Sequence, residues 1–577
     1  MSALSAPSVR VDSLPSLDVA EQWEEIFEPA FRSSLESALP AYLRARRWFG
    51  SKAREIKSVA VHDAVEVSGE PEKTFITFLN VDYVQGDSEM YLLPLAWTGE
   101  GKTDDLHRAV SNLAIARLKV RERNREGILY DAIGSKVFSR ALLDLISRRR
   151  SVRGRTGELA ASQTSVLRRL RGEDSAPLEP SAVKSEQSNS AVIYGDRLIL
   201  KLFRKLEAGI NPDQEIGRFL TEKEFGHIAP FAGALEYRTN RDETFTLAVV
   251  NEFVAGAKDA WEYTLDALSR YHDRALTFQA FMPSPPRTEE GAILSLAARD
   301  VPTNVAEIVG TYLESARLLG QRTAEMHAVL ASETENKNFA PEPLTSHYQR
   351  ALFQSMRNQV RQNLQLLRER LKDLPESARS QAQRLAGLEE AILKKLRLVF
   401  EQPIATQRIR YHGDFHLGQV LCTGKDFVMI DFEGEPARPL SERRIKRSGL
   451  RDVAGMLRSF HYAAHAGLLA QIERGSVRPG KIDSLQEWAR FWQCWVSVGY
   501  LKAYFATAAH AAFLPKTARE IKILLDAFLI EKAIYELGYE LNHRPDWVNI
   551  PIQGILQLLE SNASGRLTKR KLLRISR

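Results

Sequence analysis

The hydrophobic pattern of this chain changes period near residue 256, and that change constrains the fold more than any other feature. Residues 191–194 and 198–203 are apolar runs separated by Gly195-Asp-Arg197, which reads as a hairpin. Residues 234–238 and 245–250 read as a second strand pair. From Ala257 onward apolar residues recur at helical spacing, interrupted at Pro283-Ser-Pro-Pro286 and at Asp373-Leu-Pro375. A small β-rich lobe followed by a large helical lobe is expected. At 577 residues the chain exceeds one ordinary core, and more structure is expected ahead of that sheet. Residues 1–18 are Ser/Pro-rich and read as disordered. A helix is expected over 19–47, where Phe27, Phe31, Leu35, Leu39 and Leu43 repeat at steps of four. Strand alternation follows in 56–67, 74–84 and 89–97, residues 101–180 read as helices with Arg-rich joints, and 172–180 reads as a linker. The expected domains are a disordered N-terminus (1–18), an α/β cap (19–175), a β-rich lobe (176–255) and a helical lobe (256–577).

A single polar loop stands out within the helical lobe, Tyr411-His-Gly-Asp-Phe-His-Leu-Gly-Gln-Val-Leu421, followed by Ile430-Asp-Phe-Glu-Gly-Glu-Pro436. Asp414 and Gln419 are five residues apart, the spacing of the base and the magnesium-binding amide in protein-kinase catalytic loops. Asp431 ends an apolar run, Val428-Met-Ile430, after a Gly-Lys-Asp turn. An Asp capping a turn and an Asp closing a strand are each unremarkable. Together, behind His-Gly-Asp, they read as Asp414 the general base and Gln419 and Asp431 the Mg2+ ligands. His412 reads either as a loop brace or as a packing histidine. His416 is a candidate substrate contact or a second brace.

Lys201 lies inside Leu198-Ile-Leu-Lys-Leu-Phe203, where a lone cation needs an anionic partner. Glu215 is the expected partner, on a helix announced by Asn211-Pro-Asp-Gln214 with Asn as cap and Pro at its first position. Gln214 is placed to close a capping box. Ser185-Glu-Gln-Ser-Asn-Ser190 sits where a phosphate loop belongs, so Ser188 and Ser190 are nucleotide-binding candidates, although an ordinary polar turn would look the same. Val250, Glu252 and Val254 follow as a connector whose backbone reads an adenine edge, or as a plain strand end.

Net charge is +7, from 80 basic and 73 acidic residues, too slight to argue for a nucleic-acid partner. The basic clusters at 148–150, 168–171 and 569–574 lack interleaved aromatics and read as solvated faces. No apolar run approaches a membrane span and 1–17 does not look like a signal peptide, so no membrane association is expected. Two cysteines, Cys422 and Cys494, read as buried free thiols in a cytoplasmic protein.

Strings along most of the chain resemble those of bacterial maltokinases, in the aminoglycoside-phosphotransferase-like kinase superfamily. They are Arg47-Trp-Phe-Gly-Ser-Lys52, the Ser185–Ser190 and Leu198–Phe203 strings, Asn211-Pro-Asp-Gln-Glu-Ile-Gly-Arg-Phe-Leu220 and Leu319-Gly-Gln-Arg-Thr-Ala-Glu-Met-His327. The His412–Gln419 loop, Asp431-Phe-Glu-Gly-Glu-Pro-Ala-Arg-Pro-Leu440, Leu450-Arg-Asp-Val-Ala-Gly-Met-Leu-Arg458 and Glu531-Lys-Ala-Ile-Tyr-Glu-Leu-Gly-Tyr-Glu-Leu541 with Arg544-Pro-Asp-Trp547 continue the match. Gln419 in place of Asn, and Glu433-Gly-Glu-Pro436, are the more specific marks. The resemblance implies an α+β, protein-kinase-like bilobal fold, with a β-rich N-lobe and a helical C-lobe behind an α/β cap. It also implies ATP-dependent phosphorylation of the anomeric hydroxyl of maltose, with Mg2+, in a trehalose-to-α-glucan (glycogen) pathway with trehalose synthase as neighbour or fusion partner. Glu433 and Arg438 are candidate substrate contacts. So are Tyr504, Glu531 and Tyr535, which with Tyr500 form i, i+4 pairs on late helices; an aromatic core stripe would look alike. Two alternatives stay open. The first is another small-molecule kinase of this fold, acting on an aminoglycoside, choline or homoserine. The second is a non-catalytic scaffold for trehalose synthase.

Overall fold

The computed structural model describes residues 14–69, 72–99, 111–172, 178–183, 188–278, 282, 284–286, 293–475 and 482–560. The expectations for residues 1–13, 101–110, 173–177 and 185–187, for Pro283 and for the basic cluster at 569–574 fall outside these. The fold is α+β. It divides into two compact units, one of residues 1–222, 229–255 and 437–442, the other of 223–228, 256–436 and 443–577.

The first unit is built on two sheets. The cap sheet runs β1 (Ser16–Val19), β5 (Ala114–Val120), β6 (Arg125–Asp131), β4 (Glu89–Gly99), β3 (Thr74–Tyr83), β2 (Ile56–Ser68) in spatial order. One face of it packs on helix α1 (Pro29–Ala45) through Leu35, Leu39, Leu43, Leu79 and Leu93. Its opposite face contributes Ile76, Phe78 and Leu92 to a core shared with the second sheet, where Phe78 stacks on Tyr237 at 3.9 Å. The second sheet has the order β7 (Ser151–Arg153), β8 (Gly157–Gln163), β13 (Phe231–Thr239), β14 (Thr244–Glu252), β11 (Leu198–Leu202), β10 (Ser190–Tyr194), β9 (Pro180–Ala182). Helices α2 (Lys136–Ser147), α3 (Ser165–Arg171) and α4 (Pro212–Glu222) accompany it. A two-residue strand, β12 (Lys205–Leu206), leaves the end of β11 and pairs with Tyr91 and Met90 of β4.

Four expectations are corrected here. Residues 16–18 are not a disordered tail. They belong to β1, parallel to β5, with Leu17 and Val19 buried beneath a Ser/Pro-rich composition that hid the alternation. The helix expected over 19–47 begins only at Pro29, which sits at its first position, where proline needs no partner for a missing N–H. The described residues of 101–180 are not mainly helical: Ala116, Leu118 and Val120 alternate with Arg117 and Lys119 along β5, a period of two. The boundary at 175/176 cuts across the second sheet, because β8 pairs with β13 from Gly157↔Thr239 to Gln163↔Gly233.

The second unit is helical: α5 (Ala260–Phe278), α6 (Ile293–Ala297), α7 (Thr303–Val309), α8 (Tyr312–Leu330), α9 (Ser346–Arg370), α10 (Glu376–Ala386), α11 (Glu389–Glu401), α12 (Leu450–Glu473), α13 (Ile482–Thr507), α14 (Ala518–His543) and α15 (Asn549–Glu560). Thr517 and Glu520 close a capping box at the start of α14. Small strands interrupt the helices: β15 (Lys258–Asp259), the pair β16 (Glu342–Pro343) and β17 (Gln407–Arg408), and the ribbon β18 (Val420–Cys422) and β19 (Phe427–Met429). Among the described residues no helix is long and apolar enough to cross a membrane.

Candidate active site

The ribbon β18–β19 fixes the chemistry-bearing residues of the second unit. Its register pairs Val420 with Met429. At its open end Ile430 N donates to Gln419 O at 3.1 Å. Gln419 and Asp431 therefore leave the ribbon side by side, one from each strand. Asp431 adopts φ +66°, a left-handed conformation uncommon outside glycine that Asp tolerates better than most residues. The chain turns there and again at Gly434, φ +73°.

The loop ahead of β18 is held by a buried carboxylate that sequence reasoning missed. Asp452, in the first turn of α12, accepts His412 N at 2.8 Å and Gly413 N at 3.0 Å. It also lies 3.0 Å from His327 Nε2 of α8, whose Nδ1 is 3.0 Å from the Tyr504 hydroxyl. His412 is a brace. Its Nδ1 accepts Asp414 N at 3.4 Å, so Nε2 carries the proton and donates to Ile430 O at 2.9 Å. One imidazole thus ties the Asp414 loop to the strand end that presents Asp431.

Asp414 is one-fifth exposed. Lys532 Nζ of α14 donates to its Oδ1 at 3.0 Å, and His416 Nε2 lies 3.7 Å from its Oδ2. Burial alone would push the Asp414 carboxyl up. The Lys532 ammonium and His416 outweigh burial and hold it well below the usual carboxylate range. Lys532 in turn is held charged. Burial opposes that charge, and Asp414, Glu435 and Glu536 together overcome it. Tyr535 lies close by, its ring centroid 4.9 Å from Lys532 Nζ. Lys532 was not singled out from sequence. The available signal was its place on one helix between Glu531 and Tyr535.

This arrangement predicts a pH signature. An aspartate can act as a base only when ionised, so any activity that used Asp414 in this way would lie above its pKa. With Lys532 present, that limb falls below the ordinary carboxylate range. In Lys532→Met, burial acts without its counterweight, and the acid limb of kcat/KM should move to higher pH. An acid limb that stays in place would separate Lys532 from the titration of Asp414.

Other substrate candidates fare unevenly. Tyr504 is corrected: it is fully buried, with its hydroxyl committed to His327. Its neighbour Tyr500 donates to Thr323 at 3.1 Å, also in the core. Glu531 is 5% exposed and paired with Arg451 at 2.8 Å, which makes it structural rather than a lining residue. Glu433 is buried, and its carbonyl accepts Arg443 Nη1 at 3.1 Å. His416 and Tyr535 remain accessible around Asp414. Arg438 belongs to the first unit, where it pairs with Glu442 at 3.3 Å.

The remaining candidates lie in the first unit. Lys201 of β11 donates to Asp213 Oδ2 at 3.1 Å. Asp213 is two residues ahead of Glu215 on α4, nearly fully buried, and its own N–H is capped by Asn211 Oδ1 at 2.9 Å. Asn211 caps as expected. Gln214 does not close a capping box: its side chain donates to Glu236 at 2.6 Å and accepts from Thr246 at 2.7 Å. Ser188 is exposed, near Asn189 Nδ2 at 3.4 Å. The Ser190 hydroxyl accepts from the buried Arg204 Nε at 2.8 Å and braces the hairpin. Val250 is corrected as a nucleotide contact, because it is fully buried between β11 and β13. Glu252 N is used by Pro230 O at 2.9 Å, and Val254 follows the end of β14.

Comparison with known proteins decides what carries this site. Residues 42–134 match the family model of the maltokinase N-terminal cap domain. This chain carries a maltokinase-type cap. It is similar to a glucosamine kinase of Streptacidiphilus jiangxiensis, 24% identical over 381 residues, 65% of this chain and 72% of that one. A glucosamine kinase of Mycolicibacterium smegmatis (strain ATCC 700084 / mc(2)155) is 22% identical over 384 residues, 66% of this chain and 79% of the other. Solved structures share the fold. A glucosamine kinase in crystal form B has a TM-score of 0.58 at 19% identity, over 89% of this chain and 96% of the other. Another, described in complex with glucosamine, ADP and inorganic phosphate, has a TM-score of 0.57 at 19% identity, over 94% and 100%.

Proposed function

We propose that the capped kinase transfers a phosphoryl group from ATP to a sugar hydroxyl, and that the sugar is maltose, phosphorylated at its anomeric hydroxyl to maltose 1-phosphate. The observation that carries the transfer is the ionised Asp414 on the loop that leads into Gln419, with Gln419 and Asp431 emerging together from one ribbon end. In this reading Asp414 accepts the proton of the attacking hydroxyl, through the oxygen not taken by Lys532. Gln419 and Asp431 supply two hard oxygen donors, the kind of set Mg2+ completes with water and phosphate oxygens. Bound there, Mg2+ would offset the negative charge of the phosphates. Lys201, fixed by Asp213, is assigned to the phosphates, and Ser188 and Val254 to the nucleotide. His416 and Tyr535 are the side chains we assign to the sugar.

Maltose is supported by the cap match at residues 42–134, and by the Glu433-Gly-Glu-Pro436 string. Its supply by trehalose synthase in a glycogen-forming pathway belongs to the same proposal. The relatives named glucosamine kinases favour a second reading, with glucosamine as acceptor. A non-catalytic scaffold is disfavoured, since Lys201, Asp414 and Asp431 are all present. The deciding experiment is ATP consumption with maltose, glucosamine, glucose, choline and kanamycin, followed by product analysis. Turnover confined to glucosamine would replace maltose; turnover confined to choline or kanamycin would remove the sugar assignment.

Asp431→Asn tests the metal assignment without disturbing the turn, because Asn also tolerates the left-handed conformation. The magnesium concentration for half-maximal rate should rise at least tenfold, while the thermal midpoint stays near wild type. An unchanged magnesium dependence would remove Asp431 from the ligand set.

A further inference from the structure

The second unit contains a cavity of about 230 Å3 bordered by α10, α12, α13 and α15, and none of its lining residues belongs to the Asp414 loop or the ribbon. Its walls include Gln381, Arg384, His461, His465, Gln493 and Gln553. His461 is the most informative of these. It is 4% exposed, and Arg458 Nη1 lies 2.9 Å from its Nδ1. A guanidinium only donates, so Nδ1 is the acceptor and the ring proton sits on Nε2. That Nε2–H has no acceptor among the described residues. Gln381 Oε1, an acceptor, is likewise buried without a donor among them. Buried polar atoms are nearly always matched, and an unmatched donor and an unmatched acceptor on two residues that border one cavity point to a ligand that supplies both.

The charge of the walls narrows the class. Burial, with Arg458 and His465 beside it, holds His461 well below its ordinary pKa. Burial, with Arg458 and Arg490, brings His465 down to about 4. Both rings are neutral near pH 7. The Arg384 guanidinium is met by Glu560 at 2.7 Å, and Arg490, the other cation of the lining, is solvent-exposed. An anion would face the lone pairs of Gln381, and a cation would face the Nε2–H of His461. A hydroxyl donates and accepts, and meets both. We propose that this cavity is a second binding site, for a neutral polyhydroxylated ligand about the size of one sugar ring.

A run of polar contacts leads from this cavity to the catalytic loop. His461 touches Arg458, which holds Glu536 at 2.6 and 2.8 Å. Glu536 acts on the charge of Lys532 one turn earlier on α14, and Lys532 donates to Asp414. Occupancy of the cavity should therefore alter turnover; this half of the proposal rests on the kinase reading, whereas binding itself does not.

Calorimetric titration of the full chain with glucose, maltose and glucose 1-phosphate tests it, in wild type, Gln381→Leu and Gln493→Leu, with equal melting temperatures confirming folded variants. Two sites for a neutral sugar are expected in wild type. One of them should weaken at least tenfold in either variant, with kcat/KM at low sugar unchanged. Initial rates against maltose should depart from a hyperbola in wild type and follow one in Gln381→Leu. A single site in all three proteins, or tighter binding of glucose 1-phosphate than of glucose at the affected site, would overturn the binding site. Hyperbolic rates in both proteins would overturn the coupling. Two-site sugar binding without phosphorylation of any sugar would overturn the sugar-kinase reading and leave the cavity standing.

Discussion

Asp414→Asn should lower kcat by about 10^2- to 10^4-fold, the usual contribution of a positioned general base, and leave ATP affinity within a few-fold. The expectation follows from the division of labour around the loop. Asp414 holds no ribbon-end position of its own. Its N–H is anchored by His412, and the loop backbone by Asp452. An amide in its place keeps those contacts, still accepts from Lys532, and removes only the proton acceptor. Turnover measured at saturating sugar and ATP, with nucleotide binding followed by calorimetry, separates the two effects. Near-wild-type turnover would end the assignment of Asp414 as base. Loss of nucleotide binding together with turnover would show instead that the carboxylate organises the phosphate side.

The largest stability effect is expected in the other unit, at Arg204. Its Nη2 lies 2.9 Å from Asp131 Oδ2, and both side chains are 1% exposed. Arg204 also braces Ser190 and lies over the Trp48 ring at 4.9 Å. Asp131 accepts from Ile133 N at 3.1 Å and from the Tyr42 hydroxyl at 3.2 Å. The pair joins the end of β6 in the cap sheet to the short link between β11 and β12. Arg204→Met leaves a buried carboxylate without its cation, which costs about 3–5 kcal/mol. The double change Arg204→Met with Asp131→Leu should recover some of that loss, because the cost lies in the orphaned charge. As a control, breaking the Lys119–Glu126 pair, 42% and 55% exposed, should cost under about 1 kcal/mol. Unfolding by urea, read on the first transition of the two-unit chain, gives the comparison. Equal shifts for the buried and exposed pairs would refute the argument.

What was legible in the sequence was whatever local period or local chemistry determines. Strands β2, β3, β4, β10, β11, β13 and β14 are alternating or apolar runs between turn residues, and they lie close to where those runs put them. The start of α4 follows from Asn211-Pro212. The Asp414, Gln419 and Asp431 set was readable because a short loop and a tight ribbon translate spacing directly into position. Partners across the fold were not readable. Glu215 was expected as the partner of Lys201; Asp213, two residues earlier on α4, accepts from Lys201 at 3.1 Å and was not foreseen. Only the docking of α4 reveals that Asp213 reaches the strand. Lys532 is 118 positions from Asp414 and looks like any solvated helix lysine until α14 is packed. Tyr504 shows the opposite error: an aromatic pair at i, i+4 marks a helix face, but the face turned out to be core. In β1 the signal was present but diluted by Ser and Pro.

Strand β12 has a consequence for how the cap can change. Lys205 and Leu206 hydrogen-bond to β4, yet they begin three residues after the end of β11. Lys205 also reaches Glu89 at 2.8 Å. The cap is thus no detachable ornament but is stitched to the strand that carries Lys201. A force or a mutation that shifts β4 is delivered to Lys201 through a few covalent bonds and one short ladder. Trading this cap for another, whether in the laboratory or over generations, requires retuning the lysine as well.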